Sequence, residues 1–190
     1  MKAALFLTVM AVTAATSISA QAIEYNLLQA DRSTVSFVFR QMNVPVEGRF
    51  KHIKGQIGFD PARPANARAE IDLELTGIDA GSEEANDAVA GKLWFNTKVY
   101  PTARFVTTSI RPLGNNRFDV TGKLSIKGRT RDISAPATLR QEAGTAIFEG
   151  GFAIRRADFA IGEGDWADFG TVANEVQIRF RLVAIAAARK

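Results

Sequence analysis

The chain has 190 residues, a formal net charge of +4, 46% hydrophobic residues and no cysteine. This size and composition are typical of a single globular domain. The absence of cysteine excludes a disulfide framework, thiol catalysis and a lipoprotein anchor. Lysine and arginine are spread along the chain without a basic run, so nucleic acid is not an expected partner.

The first residues have the features of a secretory signal peptide. Lys2 supplies a positive charge, residues 3–15 form an apolar stretch too short to span a bilayer, and Ala20-Gln21-Ala22 offers a cleavage site. We therefore predict a signal peptide over residues 1–22 and one domain over residues 23–190. An exported, cysteine-free chain of this kind is expected in a bacterial periplasm.

Alternation of apolar and polar residues predicts antiparallel strands along most of the mature chain. Val35, Phe37 and Phe39, for example, share one face of a strand. Pro136 is predicted to lie at an edge or a bulge, because proline cannot donate to a strand ladder. The predicted strands cover residues 34–41, 44–50, 56–59, 68–76, 103–112, 118–126, 130–139, 149–155 and 176–182.

One short helix is predicted among these strands. Ser82 is a suitable N-cap, and Glu83 and Glu84 suit the positive end of the helix dipole in a segment that ends near Ala90. We therefore predict an all-β fold of about eight short antiparallel strands with a helix inserted near the middle. Closure of the sheet into a barrel and packing as a two-sheet sandwich are both compatible with this pattern.

Three glycines, Gly48, Gly122 and Gly150, interrupt the apolar faces of the predicted strands. A strand bend or a bulge is the favoured interpretation, because glycine is common at both. The alternative is that each missing side chain leaves room for a ligand inside a barrel.

Side chains for catalysis or metal binding are scarce. His52 is the single histidine, and its position among Lys51, Ile53 and Lys54 predicts that it faces solvent. The best acidic cluster is Glu163, Asp165 and Asp168, which lacks the spacing of a calcium loop and is interpreted as a polar loop. We therefore predict no enzyme activity, no catalytic residues and no metal site.

Several segments taken together resemble the YceI-like family of exported polyisoprenoid-binding proteins, which have a lipocalin-like barrel. The segment at residues 161–168 is similar to the branch found beside membrane cytochrome b domains. The chain departs from the family motifs at Arg32, at Ala160, where glycine is usual, and at residues 84–89. The matching segments are residues 31–37, 46–50, 94–96, 100–105, 120–128 and 154–159.

The resemblance implies a periplasmic carrier that holds a long-chain lipid, such as a polyisoprenoid, an isoprenoid quinone or a fatty-chain amphiphile. The lipid would be a ligand, and no cofactor is expected. Trp94 and Trp166 are predicted at the mouth, while Arg156 is predicted to pair with Asp158 or to face the head group. The predicted ligand-binding residues are Phe37, Phe39, Phe50, Trp94, Phe105, Phe152, Ile154 and Trp166.

Two alternatives stay open at this point. One is an enzyme that acts on a bound isoprenoid or quinone through the acidic residues of the 163–168 loop. The other is a structural or interaction barrel whose interior is packed and holds no ligand. Contact with a membrane or a membrane cytochrome would fit the resemblance, and unpaired barrel edges would permit a homodimer.

Overall fold

The computed structural model describes residues 24–142 and 144–187, so the predicted signal peptide over residues 1–22 lies outside the described residues. Short 3₁₀ turns lie at Ala30–Arg32, Pro64–Asn66, Leu75–Gly77, Arg156–Phe159 and Gly164–Trp166. The strands and the helix, in chain order, are β1 (Leu27–Leu28), β2 (Thr34–Gln41), β3 (Val44–Phe50), β4 (Ile53–Gly58), β5 (Arg68–Glu74), β6 (Ile78–Asp79), α1 (Glu83–Ala90), β7 (Thr102–Gly114), β8 (Arg117–Ile126), β9 (Arg129–Glu142), β10 (Thr145–Arg155) and β11 (Glu175–Ile185).

All the strands belong to one antiparallel sheet in the order β4-β5-β7-β8-β9-β10-β11-β2-β3-β6, with β1 beside β11. The two ends of this order meet, because β4 continues β3 along the chain and β6 continues β5. Backbone hydrogen bonds bridge the junction, from Lys51 N to the Gly77 oxygen and from Glu74 N to the His52 oxygen. The sheet therefore curls into the predicted lipocalin-like barrel.

The number of strands differs from the prediction of about eight. The sheet has eleven strand segments, of which β1 and β6 contain only two residues each. The difference arises because a bend at Lys51 and His52 separates β3 from β4, and the turn Leu75–Gly77 separates β5 from β6. β3 and β4 thus follow one continuous path around the barrel, and so do β5 and β6. The alternation of apolar and polar residues does not reveal the short breaks that divide each path into two strands.

The alternation of the strands places apolar side chains inside the barrel and charged side chains outside. Along β8, Phe118, Leu124 and Ile126 are buried, whereas Lys123 is exposed and pairs with Asp132 of β9. The same division holds along β2, where Val35 and Phe37 are buried. The faces predicted for these strands are confirmed.

Helix α1 crosses one end of the barrel. Its N-cap is Ser82, whose hydroxyl oxygen accepts a hydrogen bond from Ala85 N at 3.2 Å, as the sequence predicts. None of its eight residues is buried, so its inner face contacts the interior without being enclosed by it. Among residues 24–142 and 144–187, no helix combines the length and the apolar character needed to cross a bilayer.

Pro136 lies inside a central strand, because β9 pairs with β8 on one side and with β10 on the other. The prediction of an edge strand is therefore wrong at this position. The ladder between β9 and β10 ends at Ala137 and Gly150, one residue before Pro136 is reached. Pro136 thus lies where β10 leaves β9, and its missing N–H interrupts no ladder.

Candidate functional site

The barrel encloses an apolar cavity of about 540 Å³. It is lined by 42 residues, and only six of them have polar or charged side chains. Small-molecule sites in proteins are typically concave and mostly apolar, with a few polar groups that orient the ligand. The cavity is therefore the candidate site. The six polar or charged residues are Gln41, Arg68, Ser82, Glu84, Thr107 and Arg156.

All eight residues predicted to bind the ligand line this cavity. They come from strands that are far apart in sequence, and the closed sheet turns their apolar faces toward one space. The wall thus combines Phe37 and Phe39 of β2, Phe50 of β3, Phe105 of β7, Phe152 and Ile154 of β10, and the loop residues Trp94 and Trp166.

The three interrupting glycines lie beneath phenylalanine rings. A Cβ at Gly48 would overlap the ring of Phe37, its partner on β2, and a Cβ at Gly122 would overlap the ring of Phe105. At Gly150 a Cβ would lie 2.7 Å from the ring of Phe180 on β11. Aromatic rings commonly cover strand glycines in this way.

A bulge is found at Gly122, where the β7–β8 register shifts between Thr107 and Ser109. The pairing through Gly48 and Gly150 shows no shift, so neither of these two glycines lies at a bulge. The ladder between β9 and β10 ends at Gly150, which agrees with a bend at this glycine. The role of Gly48 and Gly150 is to let an aromatic ring lie along the wall. The space above each glycine is occupied by protein, and the cavity lies beyond the ring.

Aromatic side chains pack at the cavity end that lies farthest from α1. The ring of Phe59 meets the rings of Phe118 and Phe148 at centroid distances of 5.9 and 5.1 Å, both nearly edge to face. Tyr25 joins Phe59 through two backbone hydrogen bonds of 2.8 and 3.0 Å. These contacts make this end of the wall aromatic, although the exposed Arg68, paired with Gly58, also lines the cavity there.

The opposite end reaches the surface beside α1. Gln41 at the end of β2 and Ser82 and Glu84 at the start of α1 are exposed, yet they line the cavity. Along α1, Ala85 and Val89 turn their side chains toward the apolar interior. A hydrogen bond to a backbone N–H and one to the Ser82 side chain lower the pKa of Glu84. A carboxylate therefore stands at the edge of the opening.

Trp94 and Trp166 lie next to each other in this part of the wall. Their ring centroids are 5.4 Å apart and the ring planes are inclined by 61°. The indole Nε1 of Trp94 is buried and has no hydrogen-bond partner among the described residues. Both tryptophans are half-buried and line the cavity, and their place at its mouth stays a prediction.

Arg156 is the most buried charged side chain among the described residues, with 1% of its surface exposed. Arg156 follows Ile154 of β10 by two residues, so both side chains point to the same, inward side and both line the cavity. The guanidinium donates hydrogen bonds of 2.7–3.2 Å to five backbone oxygens and a sixth of 3.5 Å to the Asp168 oxygen. The five nearer acceptors belong to Ile161, Gly162, Trp166, Val172 and Ala173.

These bonds decide the role of Arg156. No ion pair joins it to Asp158 within the described residues, so that predicted pair is wrong. The guanidinium also lies 5.1 Å from the ring of Phe169 and 5.8 Å from that of Trp94, within range of cation–π attraction. Burial lowers the pKa of Arg156, and the charge of Asp168 partly opposes this effect. Its N–H groups are occupied by the loop 161–173, so Arg156 organises the cavity wall.

The acidic residues of the 163–168 loop do not line the cavity. Glu163 pairs with Lys127 at 2.9 Å, and this hydrogen bond lowers the pKa of Glu163. Asp168 accepts hydrogen bonds from Gly170 N and from both the backbone and the hydroxyl of Thr171, which lower its pKa. Asp165 is exposed. Two of the carboxylates therefore stabilise the loop and the third faces solvent, as expected for a polar loop.

Many wall residues were not among the predicted ligand-binding residues. The prediction favoured aromatic side chains, whereas aliphatic residues supply much of the wall. Their signal was present in the sequence, because each lies on an apolar face that alternation had already identified. Examples are Ile71 and Leu73 of β5, Leu124 and Ile126 of β8, and Val176 and Ile178 of β11.

Comparisons with known proteins agree with this architecture. The family model of the YceI-like domain matches residues 25–184. A UPF0312 protein of Azotobacter vinelandii is 28% identical over 137 residues, which is 69% of each chain. BcnA of Burkholderia cenocepacia, a solved structure, is 45% identical with a TM-score of 0.80, and the match covers 83% of this chain and 99% of that one.

Two more distant structures have the same fold. A Campylobacter jejuni YceI protein is 20% identical with a TM-score of 0.68, covering 74% of this chain and 85% of that one. A polyisoprenoid binding domain from Saccharophagus degradans is 18% identical with a TM-score of 0.67, covering 88% of this chain and 100% of that one.

Proposed function

This chain belongs to the YceI-like family, and on that premise we propose that it binds one long-chain apolar lipid inside its barrel and carries it through the periplasm. The observation that carries the proposal is the 540 Å³ cavity with 36 apolar or glycine positions among its 42 lining residues. Transfer of each lipid CH₂ from water into such a wall contributes about 0.8 kcal/mol. A long tail can therefore bind tightly with few polar contacts.

The proposed ligand is a polyisoprenoid, an isoprenoid quinone or a fatty-chain amphiphile. The wall supports this class because phenylalanine, alanine and isoleucine side chains dominate it and its polar residues are few. The Saccharophagus domain of the same fold is described as binding polyisoprenoid, which supports the same chemical class here. The lipid is cargo, and we propose no other cofactor.

We propose that the protein performs no catalysis. Catalysis on a bound lipid would need an acid, base or nucleophile beside it. Among the six polar wall residues, Arg156 is saturated by carbonyl oxygens and Thr107 accepts a hydrogen bond from Ala69 N at 3.0 Å. The other four, Gln41, Arg68, Ser82 and Glu84, are exposed at the ends of the cavity rather than enclosed within it. Glu163, Asp165 and Asp168 lie outside the cavity wall. No observation favours the enzyme alternative, and the cavity disfavours a packed interior.

The periplasmic location is also a proposal, and it rests on the signal-peptide pattern of residues 1–22. The mass of the protein recovered from the periplasm tests it, because cleavage after Ala22 removes 22 residues. A membrane cytochrome and a second copy of the chain stay predictions as partners.

Native mass spectrometry of the mature protein purified from its own periplasm tests lipid binding. We expect a stoichiometric adduct that organic extraction identifies as a long-chain lipid. A bare mass that persists after incubation with isoprenoid quinones and fatty amphiphiles would contradict the proposal.

The tryptophans provide a second readout. The chain has only two, Trp94 and Trp166, and both line the cavity. A quinone that enters the barrel should therefore quench most of the intrinsic fluorescence and saturate at one equivalent. Unsaturable quenching of the same size with a short-chain quinone analogue would indicate collision in solution instead.

A further inference from the structure

Exposed apolar side chains concentrate around the open end of the barrel. We call this group the collar and define it as Met42, Val44, Leu93, Val99 and Phe169, whose exposed fractions run from 40% to 69%. Exposed apolar residues scattered singly need no explanation, but a group at one end of a molecule indicates an interaction site.

The three segments that carry the collar are joined by hydrogen bonds. Met42 N donates to the Thr171 oxygen at 2.9 Å, which ties the β2–β3 turn to the loop of Phe169. The Leu93 oxygen accepts from Gly162 N and Glu163 N, each at 2.9 Å. The collar is therefore one connected rim.

The same segments form the mouth of the cavity. Gln41 precedes Met42, Trp94 follows Leu93, and Trp166 and Val172 flank the loop of Phe169. All four of these neighbours line the cavity. A lipid that enters or leaves at this end must therefore pass the collar.

The backbone at Met42 gives an independent reason to regard its side chain as functional. Met42 has φ = 48° and the following Asn43 has φ = 65°. Tight hairpins favour asparagine or glycine in this left-handed region, which costs other residues about 1 kcal/mol or more. A large apolar side chain thus occupies a turn position that disfavours it, and 69% of its surface is exposed.

Basic residues adjoin the collar in sequence. Arg40, Lys92 and Lys98 lie within two positions of Met42, Leu93 and Val99, and none of the three forms an ion pair within residues 24–142 and 144–187. The nearby carboxylates of Glu163 and Asp168 are engaged by Lys127 and Thr171. Each basic residue near an anionic membrane surface contributes about 1 kcal/mol. The exposed carboxylates on α1 and the exposed Asp165 of the 163–168 loop oppose part of this attraction.

We propose that the collar docks on the surface of a phospholipid bilayer, with the mouth of the cavity facing the lipid. Apolar side chains enter the boundary between head groups and acyl chains, and Lys92, Lys98 and Arg40, which donates a hydrogen bond to the Asn43 oxygen at 2.9 Å, attract anionic head groups. The lipid would then pass between bilayer and barrel without crossing water. This inference rests on the proposed lipid-binding function.

Co-sedimentation of the full mature chain with phospholipid vesicles tests the inference. We use phosphatidylcholine vesicles with about 30% phosphatidylglycerol in about 0.1 M salt. The variant Met42→Asn/Val44→Thr/Val99→Thr should lower the bound fraction about tenfold, as expected when docking loses about 1.4 kcal/mol. The control is Leu27→Thr/Leu113→Thr, whose two leucines are exposed at the other end of the barrel, and it should bind as the wild type does.

Met42→Asn separates docking from folding. Asparagine tolerates the left-handed turn better than methionine does, so this single variant should unfold at the same or a higher urea concentration while binding vesicles more weakly. Equal vesicle binding by the triple variant and the control would overturn the inference. So would wild-type protein that stays in the supernatant.

Two further measurements keep the inference separate from the function on which it rests. Fluorescence quenching by a dissolved quinone measures binding in the cavity in the absence of vesicles, and the triple variant should be quenched as the wild type is. If the wild type shows no quenching, lipid binding is overturned whatever the result of the vesicle experiment. A dimer in sedimentation velocity that the triple variant abolishes would assign the collar to a second copy and overturn bilayer docking.

Discussion

The ring of Phe37 lies directly over Gly48 of the adjacent strand, where any side chain would overlap it. The backbone oxygen of Asp79 would lie 2.6 Å from an added Cβ, so the site is closed from two sides. The ring therefore depends on the glycine for its position along the wall. The volume of the cavity depends on the same pair, because a displaced ring would project into it.

Gly48→Ala should accordingly destabilise the protein and reduce lipid binding together. We expect the free energy of unfolding to fall by about 1–3 kcal/mol, as in other overpacked cores. Urea denaturation and quinone quenching measure the two effects. Gly58→Ala is the control for stability, because a Cβ there would meet nothing nearer than Glu24 Oε1 at 4.0 Å. A Gly48→Ala variant as stable as Gly58→Ala would refute the proposed role of this glycine.

Ala135→Leu should fill part of the cavity. Ala135 is buried and its side chain lines the lumen, so a larger residue occupies space that the lipid would use. We expect affinity for a long-chain lipid to drop about tenfold, a cost of about 1.4 kcal/mol. Stability should hold or rise, because the added group enters an apolar void.

Ala153→Leu is the matched control for this filling variant, since Ala153 lies on the outer face of β10 and is exposed. Quinone titration of both variants checks the prediction. Undiminished binding by Ala135→Leu would place the ligand elsewhere in the molecule.

Arg156→Lys should destabilise the protein strongly despite the conserved charge. Lysine has three donors, so at least two of the carbonyl oxygens that Arg156 satisfies would lose their partner. We expect a loss of about 3 kcal/mol, because buried unsatisfied groups cost about 1–3 kcal/mol each. Arg155→Lys is the control, because it alters an exposed neighbour and should change the urea midpoint little. Equal urea midpoints for the two variants would show that the hydrogen bonds from Arg156 to the carbonyl oxygens do not stabilise the protein.

Acid should weaken the contact between Glu163 and Lys127. The pKa of the Glu163 carboxyl lies below its ordinary value of 4.5, chiefly because Lys127 donates a hydrogen bond to it. The stabilisation is therefore present above about pH 4.5 and is lost as the pH falls through the lowered pKa. Urea midpoints measured from neutral pH downward should decline less steeply for Glu163→Gln than for the wild type. Parallel curves would show that this pair does not contribute.

The sequence predicts the barrel wall well because alternation is a local property. The faces of β2, β5, β8 and β11 follow directly from it, and short motifs identify the family. The positions of Phe37 and Phe105 on the wall are confirmed for the same reason. Whether they contact a lipid stays a prediction.

Features that depend on distant contacts were harder to predict. The sequence predicts an ion pair between Arg156 and Asp158, yet the acceptors of Arg156 are carbonyl oxygens brought together by the loop 161–173. Ala160 has φ = 55°, a left-handed backbone conformation that an alanine in the sequence does not indicate. The contacts of Phe180 with Gly150 likewise arise only when β10 meets β11.

The pairing of β2 with β11 sets the order in which this molecule can be completed. Val38 near the start of the chain faces Gln177 near its end, so this seam joins the first long strand to the last strand. Synthesis proceeds from the N-terminus, and contacts of such long range form slowly. Until β11 is made, Phe37 of β2 lacks its paired residue Ile178 on that side. The barrel, and with it the enclosed cavity, can therefore form only after β11, the last strand to be made, has paired with β2.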